Sequence, residues 1–203
     1  MGEMITSYST LKTSIAAFLH RADLTDIIPE FIADAEARIY NDLRLRCMEA
    51  SFSDTTANGT VALPTGFLEW IYMYADTSPL QKLQRKDVEW IVTNYPETTG
   101  IPKFFARDGD NVRFGPEPSS NTAILGRYYR RLDALSDSNT SNWIILNAPD
   151  LLRYGALCEA APYIEDDARA QLWEAKYQAA KQRVERTEQR EAGSGSLLSV
   201  TKG

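Results

Sequence analysis

The hydrophobic period of this chain changes twice along its length, and that change constrains the fold more than any single residue. At both ends apolar residues recur every three or four positions, which is typical of α-helices with one buried face. In the middle, β-branched and aromatic residues alternate with polar ones between glycine- and proline-containing turns. The sequence therefore predicts an α+β fold, in which N- and C-terminal helices form a helical bundle and the middle forms a β-rich insertion.

The N-terminal end predicts two helices. The first covers residues 7–20, where apolar residues follow a helical period. The second begins near Asp26, the predicted N-cap, has Pro29 in its first turn and carries one apolar side as far as Leu43. Two such helices need further helices against which to bury their apolar sides.

The C-terminal end predicts a helix over residues 148–163, capped by Asn147, and a long charged helix over residues 165–191. The predicted apolar line of the long helix is Ala168, Leu172, Ala175 or Lys176, Ala179 and Val184. A helix with so narrow an apolar line either projects into solvent or packs on another subunit. Trp173 and Tyr177, which lie beside the line, are therefore candidate inter-subunit contacts.

The middle of the chain predicts short strands joined by turns. Two hairpins turn at Asn58-Gly59 and Asp108-Gly109, two further strands cover residues 67–75 and 122–131, and a short helix covers residues 85–94. These elements define a β-rich lobe over residues 48–142. Residues 1–47 and 143–192 then form the helical domain.

Arginines and tyrosines alternate along the strand predicted at residues 122–131. Arg127, Tyr129 and Arg131 share one face, because successive strand residues point to opposite sides. Arginine stacked on tyrosine is common in protein interfaces, stacked tyrosines also suit single-stranded nucleic acid, and sheet packing alone is a third interpretation. The three residues are candidate inter-subunit contacts.

Residues 193–203 predict a flexible C-terminal tail. Glycine and serine give it the composition of a linker, and its apolar residues are Leu197, Leu198 and Val200. Such a tail either stays disordered or becomes ordered when it docks on a partner.

The composition predicts no enzyme. The only histidine is His20, and the two cysteines, Cys47 and Cys158, lie too far apart in sequence for a zinc motif, so we expect buried free thiols and no catalytic, cofactor-binding or metal-binding residues. A net charge of -6 argues against a broad basic surface for nucleic acid or anionic lipid. No apolar run approaches the roughly 18 residues that a membrane span needs, so no membrane partner is expected.

Several short phrases occur in an order that carries a family resemblance. They are FIADAEARIY at 31–40, LPTGFL at 63–68, RKD at 85–87, YP at 95–96, GIPK at 100–103, GPEP at 115–118 and NAPD at 147–150. In this order the chain resembles the podovirus-type head-to-tail connector adaptors of tailed bacteriophages, over roughly residues 8–189.

The resemblance implies a structural virion protein without catalytic residues. Copies would form a ring on the portal protein, expected to be twelvefold, and link the capsid vertex to a tail or nozzle protein. Genome DNA would pass through the lumen without sequence-specific binding, and Leu197, Leu198 and Val200 would be candidate portal-docking residues. The protein would occupy the head-tail junction of the virion, and the host cytoplasm during assembly.

Two other classes fit the residues less closely. One is a tail-tube, neck or head-completion protein of a phage virion, which would oligomerise by itself. The other is a cytoplasmic binding module unrelated to phage, which would stay monomeric and ignore a portal.

Overall fold

The computed structural model of the chain describes residues 4–21 and 23–193. Helices and strands both occur, so the predicted mixture of the two is confirmed. The chain divides into two compact units. Met48–Arg131 forms the β unit, and both ends of the chain, Met1–Cys47 and Leu132–Gly203, form the helical unit.

The elements of the described residues follow in chain order. The helices are α1 (Tyr8–Leu19), α2 (Ile28–Asp42), α3 (Val88–Asn94), α4 (Trp143–Asn147), α5 (Pro149–Tyr163) and α6 (Asp167–Gly193). The strands are β1 (Glu49–Thr55), β2 (Thr60–Ala62), β3 (Phe67–Ala75), β4 (Gln81–Lys82), β5 (Gln84–Arg85), β6 (Phe104–Asp108), β7 (Asn111–Gly115) and β8 (Ala123–Arg130).

The helical unit is organised around α5, which contacts α1, α2, α4 and α6. The side of α2 predicted to be apolar is buried, including Phe31, Ile32 and Ile39. Gly155 of α5 allows the close approach of α2, because a Cβ atom built there would lie 3.0 Å from the Cβ of Ala35. The absence of a side chain at Gly155 therefore sets the spacing between these two helices.

Two predicted helix caps are wrong. The N-cap of α2 is Ile27 rather than Asp26, and no side chain caps it. Asn147 ends α4, a helix that was not predicted, and the N-cap of α5 is Ala148. No side chain caps α5, whereas α4 is capped by Asn142, whose Oδ1 atom accepts a hydrogen bond from the Ile145 amide at 3.1 Å.

The buried side of α6 also differs from the prediction. The buried residues are Trp173, Tyr177, Ala180 and Val184, whereas Leu172 of the predicted line is 55% exposed. The two aromatic side chains bury more apolar surface than a leucine and several alanines, and this decides which side of the helix faces α5.

The β unit consists of two sheets over one apolar core. The first sheet is antiparallel, in the order β1-β8-β3-β4, and the second has the order β2-β7-β6-β5, with β5 and β6 parallel. Both sheets contribute to the core: Phe52, Trp70, Met73, Ile124 and Tyr128 come from the first, and Val61, Phe105, Val112 and Phe114 from the second. Helix α3 packs on β6 and β7, where Trp90 meets Phe104 with ring centroids 4.9 Å apart.

The hairpin predicted at Asn58-Gly59 is wrong, although the turn itself exists. Both turn residues have positive φ, but β1 pairs with β8 and β2 pairs with β7, so the flanking strands belong to different sheets. The hairpin at Asp108-Gly109 is confirmed, as β6 pairs with β7 across it. The short strands β4 and β5 were not predicted.

Gly126 of β8 is a position where any side chain should destabilise the β unit. A Cβ atom there would lie 2.7 Å from the Tyr72 carbonyl oxygen, beside a register shift in β3. We expect Gly126→Ala to lower the free energy of unfolding by about 1–3 kcal/mol in urea titrations, because backbone must move to relieve the overlap. Gly100→Ala is the matched control, since its nearest contact would be an ordinary 3.6 Å. Equal effects of the two changes would contradict this explanation.

Candidate interaction surfaces

The first sheet presents a tyrosine-rich face opposite the core. In β8, Gly126 and Tyr128 are buried, whereas Arg127 is exposed and Tyr129 is half-buried, as the predicted alternation requires. Strand register adds residues that the sequence did not assign to this face, because Tyr72 pairs with Arg127 and Tyr74 with Leu125. We call Tyr72, Tyr74, Leu125, Arg127 and Tyr129 the outer sheet face.

The chemistry of the outer sheet face suits a protein partner. Arg127 Nη1 lies 3.2 Å from Glu49 Oε2, which offsets much of its charge, and the Tyr72 and Tyr74 rings pack edge-on at 5.4 Å. Tyr72 is 40% exposed. Tyrosine and arginine offer large contact areas together with hydrogen-bonding groups, and both are enriched in interfaces. Arg131 lies just past the end of β8 and is also exposed.

The predicted contacts Trp173 and Tyr177 are core residues of the helical unit. Tyr177 is fully buried, its hydroxyl donates to Asp42 Oδ2 at 3.1 Å, and the Arg38 guanidinium lies 4.2 Å from its ring centroid. Burial and the charge of Asp42 raise the pKa of Tyr177. Trp173 is 4% exposed. Both rings therefore pack inside the helical unit, and other residues form the exposed side of α6.

An apolar groove of about 710 Å³ lies beside α6. Cys158, Ala161 and Pro162 of α5 line it, together with Ala170 and Ala175 of α6. We call it the α5–α6 groove. A cavity of this size with mostly apolar walls is large enough to receive side chains of a partner.

Charged residues form one edge of the α5–α6 groove. Arg38 Nη2 donates to both carboxylate oxygens of Glu174, at 2.7 and 2.8 Å, and Arg38 Nη1 lies 3.5 Å from Glu159. Partial burial opposes the charge of Arg38, but the hydrogen bond and charge of Glu174 outweigh it and raise the pKa of Arg38. One arginine thus faces two carboxylates, which leaves this edge with a net negative charge.

The histidine and the two cysteines of the chain have structural surroundings. His20 is the exposed C-cap of α1. Cys47 and Cys158 are free, and burial raises the pKa of each thiol to about 12, which disfavours the nucleophilic thiolate. Within the described ranges, no group of three or more histidines, cysteines or carboxylates is placed to hold a metal ion.

Glu36 is the most deeply buried carboxylate among the described residues, and its partners are structural. It accepts hydrogen bonds from the Leu135 amide at 3.2 Å and from Asn142 Nδ2 at 3.0 Å. Burial raises the pKa of Glu36, and these two hydrogen bonds offset the effect only in part. Glu36 therefore holds the segment before α4 against α2, and its charged form is disfavoured.

The predicted docking residues Leu197, Leu198 and Val200 lie outside the described residues. In the part of the chain that the structure describes, no helix has both the length and the apolar character to cross a membrane.

Comparison with known protein families places most of the chain in one family. The model of the SU10 adaptor protein family matches residues 6–199, which include every helix from α1 to α6 and the whole β unit. No curated protein matches the chain.

The raised pKa of Glu36 predicts a pH-dependent stability. Its folded pKa lies above the ordinary glutamate value, so its contribution is complete below that ordinary value and is lost as the pH rises through the folded pKa. We expect the wild type to lose stability relative to Glu36→Gln as the pH rises above the ordinary glutamate pKa, measured by urea unfolding at a series of pH values. Glu30→Gln, on the exposed side of α2, is the control, and a pH-independent difference for Glu36→Gln would contradict the assignment.

Proposed function

Because the chain belongs to the SU10 adaptor protein family, we propose that it is a head-to-tail adaptor that forms a ring on the portal of a tailed bacteriophage. The family match, over nearly the whole chain, carries this proposal. The match also agrees with the adaptor resemblance found in the order of the sequence phrases, and it identifies the chain as a phage structural adaptor.

The proposed ring has twelve-fold symmetry and joins the portal to a tail or nozzle protein. The two exposed surfaces support it, because a ring of identical subunits needs two different contact surfaces on each copy. These are the α5–α6 groove and the outer sheet face, and each would meet a different, complementary surface of the neighbouring copy. Genome DNA would pass through the lumen without sticking, since a chain of net charge -6 offers few phosphate contacts.

The first test is to mix the protein with the portal ring of the same phage and to weigh the product by native mass spectrometry. We expect one adaptor for each portal subunit, and a monomer or weak oligomer without portal. An intact portal without any mass increase would overturn the proposal. It would favour a tail-tube, neck or head-completion protein, or an unrelated binding module.

The second prediction concerns the portal-docking residues Leu197, Leu198 and Val200. If these apolar side chains bind the portal, Leu197→Asp with Leu198→Asp should reduce adaptor occupancy of the portal at least tenfold, because two charges would have to be desolvated. Ser194→Asp with Ser196→Asp adds the same charge to the same tail and serves as the control. Equal occupancy for both variants, or a large loss of thermal stability, would contradict the docking role.

The third prediction concerns Arg127, Tyr129 and Arg131. If the outer sheet face contacts a neighbouring subunit, Arg127→Ala with Tyr129→Ala should lower the number of adaptors on each portal, while thermal melts show that the variant is still folded at the assay temperature. Arg113→Ala, an exposed residue of the second sheet, is the control. Full occupancy by the double variant would remove this face from the subunit contact.

A further inference from the structure

Helix α6 carries an exposed line of basic residues that begins with a leucine. Leu172, Lys176, Ala179, Arg183, Arg186 and Arg190 follow one another at steps of four and three residues, so they form one line along the helix. All six are exposed, and Leu172 is among the most exposed large apolar residues of the chain. We call this line the basic line.

The opposite side of α6 is acidic. Glu174, Gln178, Lys181, Glu185 and Glu188 form a second line with the same steps, which we call the acidic line. Its one lysine forms an ion pair, with Lys181 Nζ 3.2 Å from Asp42 Oδ2. Glu174 forms another, with its Oε1 atom 2.7 Å from Arg38 Nη2. Two residues correspond to about 200° of rotation, so Leu172 and Glu174 lie on nearly opposite sides of the helix. The α5–α6 groove adjoins the acidic line, since Glu174 and Gln178 line it.

The two lines match each other at the groove and at the C-terminal end of α6. Between these levels Arg183 lies at the height of Lys181, and it pairs with Asp150 of its own chain at 3.4 Å instead. Leu172 lies within the stretch of α6 that lines the groove, which runs from Ala170 to Gln178. Arg186 is one residue from Glu185, and Arg190 is two residues from Glu188, which is about 1.5–3 Å along the axis. Leu172 and the apolar groove thus lie at the same height on opposite sides of one helix. The same holds for the arginines and the glutamates near the C-terminal end of α6.

We propose that the α5–α6 groove of one copy receives Leu172 of the next copy, while the basic line faces that copy's acidic line. The occupant is a second copy because the complementary charge and shape lie on this chain itself. Two different surfaces make a heterologous contact, which closes into a ring if the copies are related by rotation without translation. The groove and Leu172 lie at the same height along α6, so this condition is met when the ring axis is parallel to α6. The proposal rests on the ring of the proposed function and assigns its helical contact.

A crosslinking experiment tests the insertion of Leu172. Cys158 lines the groove, so a Leu172→Cys, Cys47→Ser variant should form disulfides between copies. We would oxidise both the portal-bound adaptor and the free protein at a concentration high enough for self-association, with copper phenanthroline at alkaline pH. We expect a ladder of dimers, trimers and larger species, because each copy offers one cysteine on each side. Adding Cys158→Ser should abolish the ladder. No crosslinks would overturn the proposal, and so would dimers alone, since they indicate a two-fold contact.

Charge exchange tests the pairing of the two lines. In the crosslinking variant, Arg186→Glu with Arg190→Glu, or Glu185→Arg with Glu188→Arg, should each lower the ladder yield at least tenfold by placing like charges together. Mixing the two variants should restore the ladder, since each reversed line then meets its opposite. Thermal melts check folding, because Glu188 also accepts a hydrogen bond from the Arg46 amide at 3.1 Å. A mixture no better than its components would overturn the pairing.

The same variants distinguish this contact from the adaptor function. A ladder from a protein that fails to bind portal would support the contact and contradict the adaptor role. Full portal rings that give no ladder would support the adaptor role and overturn the contact.

Discussion

The contact of Tyr177 with α2 fixes the orientation of α6, and the surfaces of the helical unit depend on it. The ring is fully buried, the hydroxyl binds Asp42, and Arg38 lies over the ring while it holds Glu174. A buried tyrosine with its hydroxyl satisfied leaves one rotational setting of α6 strongly preferred. In that setting the groove and the acidic line lie on one side of the helix and the basic line on the other. Both surfaces thus follow from the burial of Tyr177, together with Trp173, inside the helical unit.

Local sequence patterns correctly predicted those features that do not depend on which element packs against them. The apolar side of α2 and the alternation in β8 follow from helical and strand geometry alone, and both are found. The turn at Asn58-Gly59 was also correct, but the hairpin was not, because Phe52 of β1 and Val61 of β2 enter the core from different sheets. Strand pairing is decided by that long-range packing, which adjacent residues do not encode. On α6, counting apolar positions favoured Leu172 and the alanines, whereas the buried area favoured Trp173 and Tyr177.

For the candidate surfaces, too, the sequence predicted the local pattern but not the contacts between distant elements. Alternation along one strand placed Arg127 and Tyr129 on a common face, but Tyr72 joins them only through the register between β3 and β8. The groove could not be predicted, because Arg38, Cys158 and Glu174 come from three helices that are distant in sequence. The charge segregation on α6 is different, since the steps of four and three residues are visible in the sequence. It becomes informative only when the structure fixes which side of the helix is buried.

The weakness of the proposed contacts between copies bears on the order of assembly. An exposed ion pair contributes about 0.2–1 kcal/mol, whereas association costs roughly 4–15 kcal/mol in lost freedom of motion. The proposed contact, one leucine in a groove and a few surface ion pairs, would therefore leave two free copies weakly associated. A template that holds the copies side by side removes most of that cost, because each contact then forms at a high effective concentration. Weak contacts between neighbours would thus keep free copies from closing rings before a portal is present, and the same contacts would add up around the ring once it is.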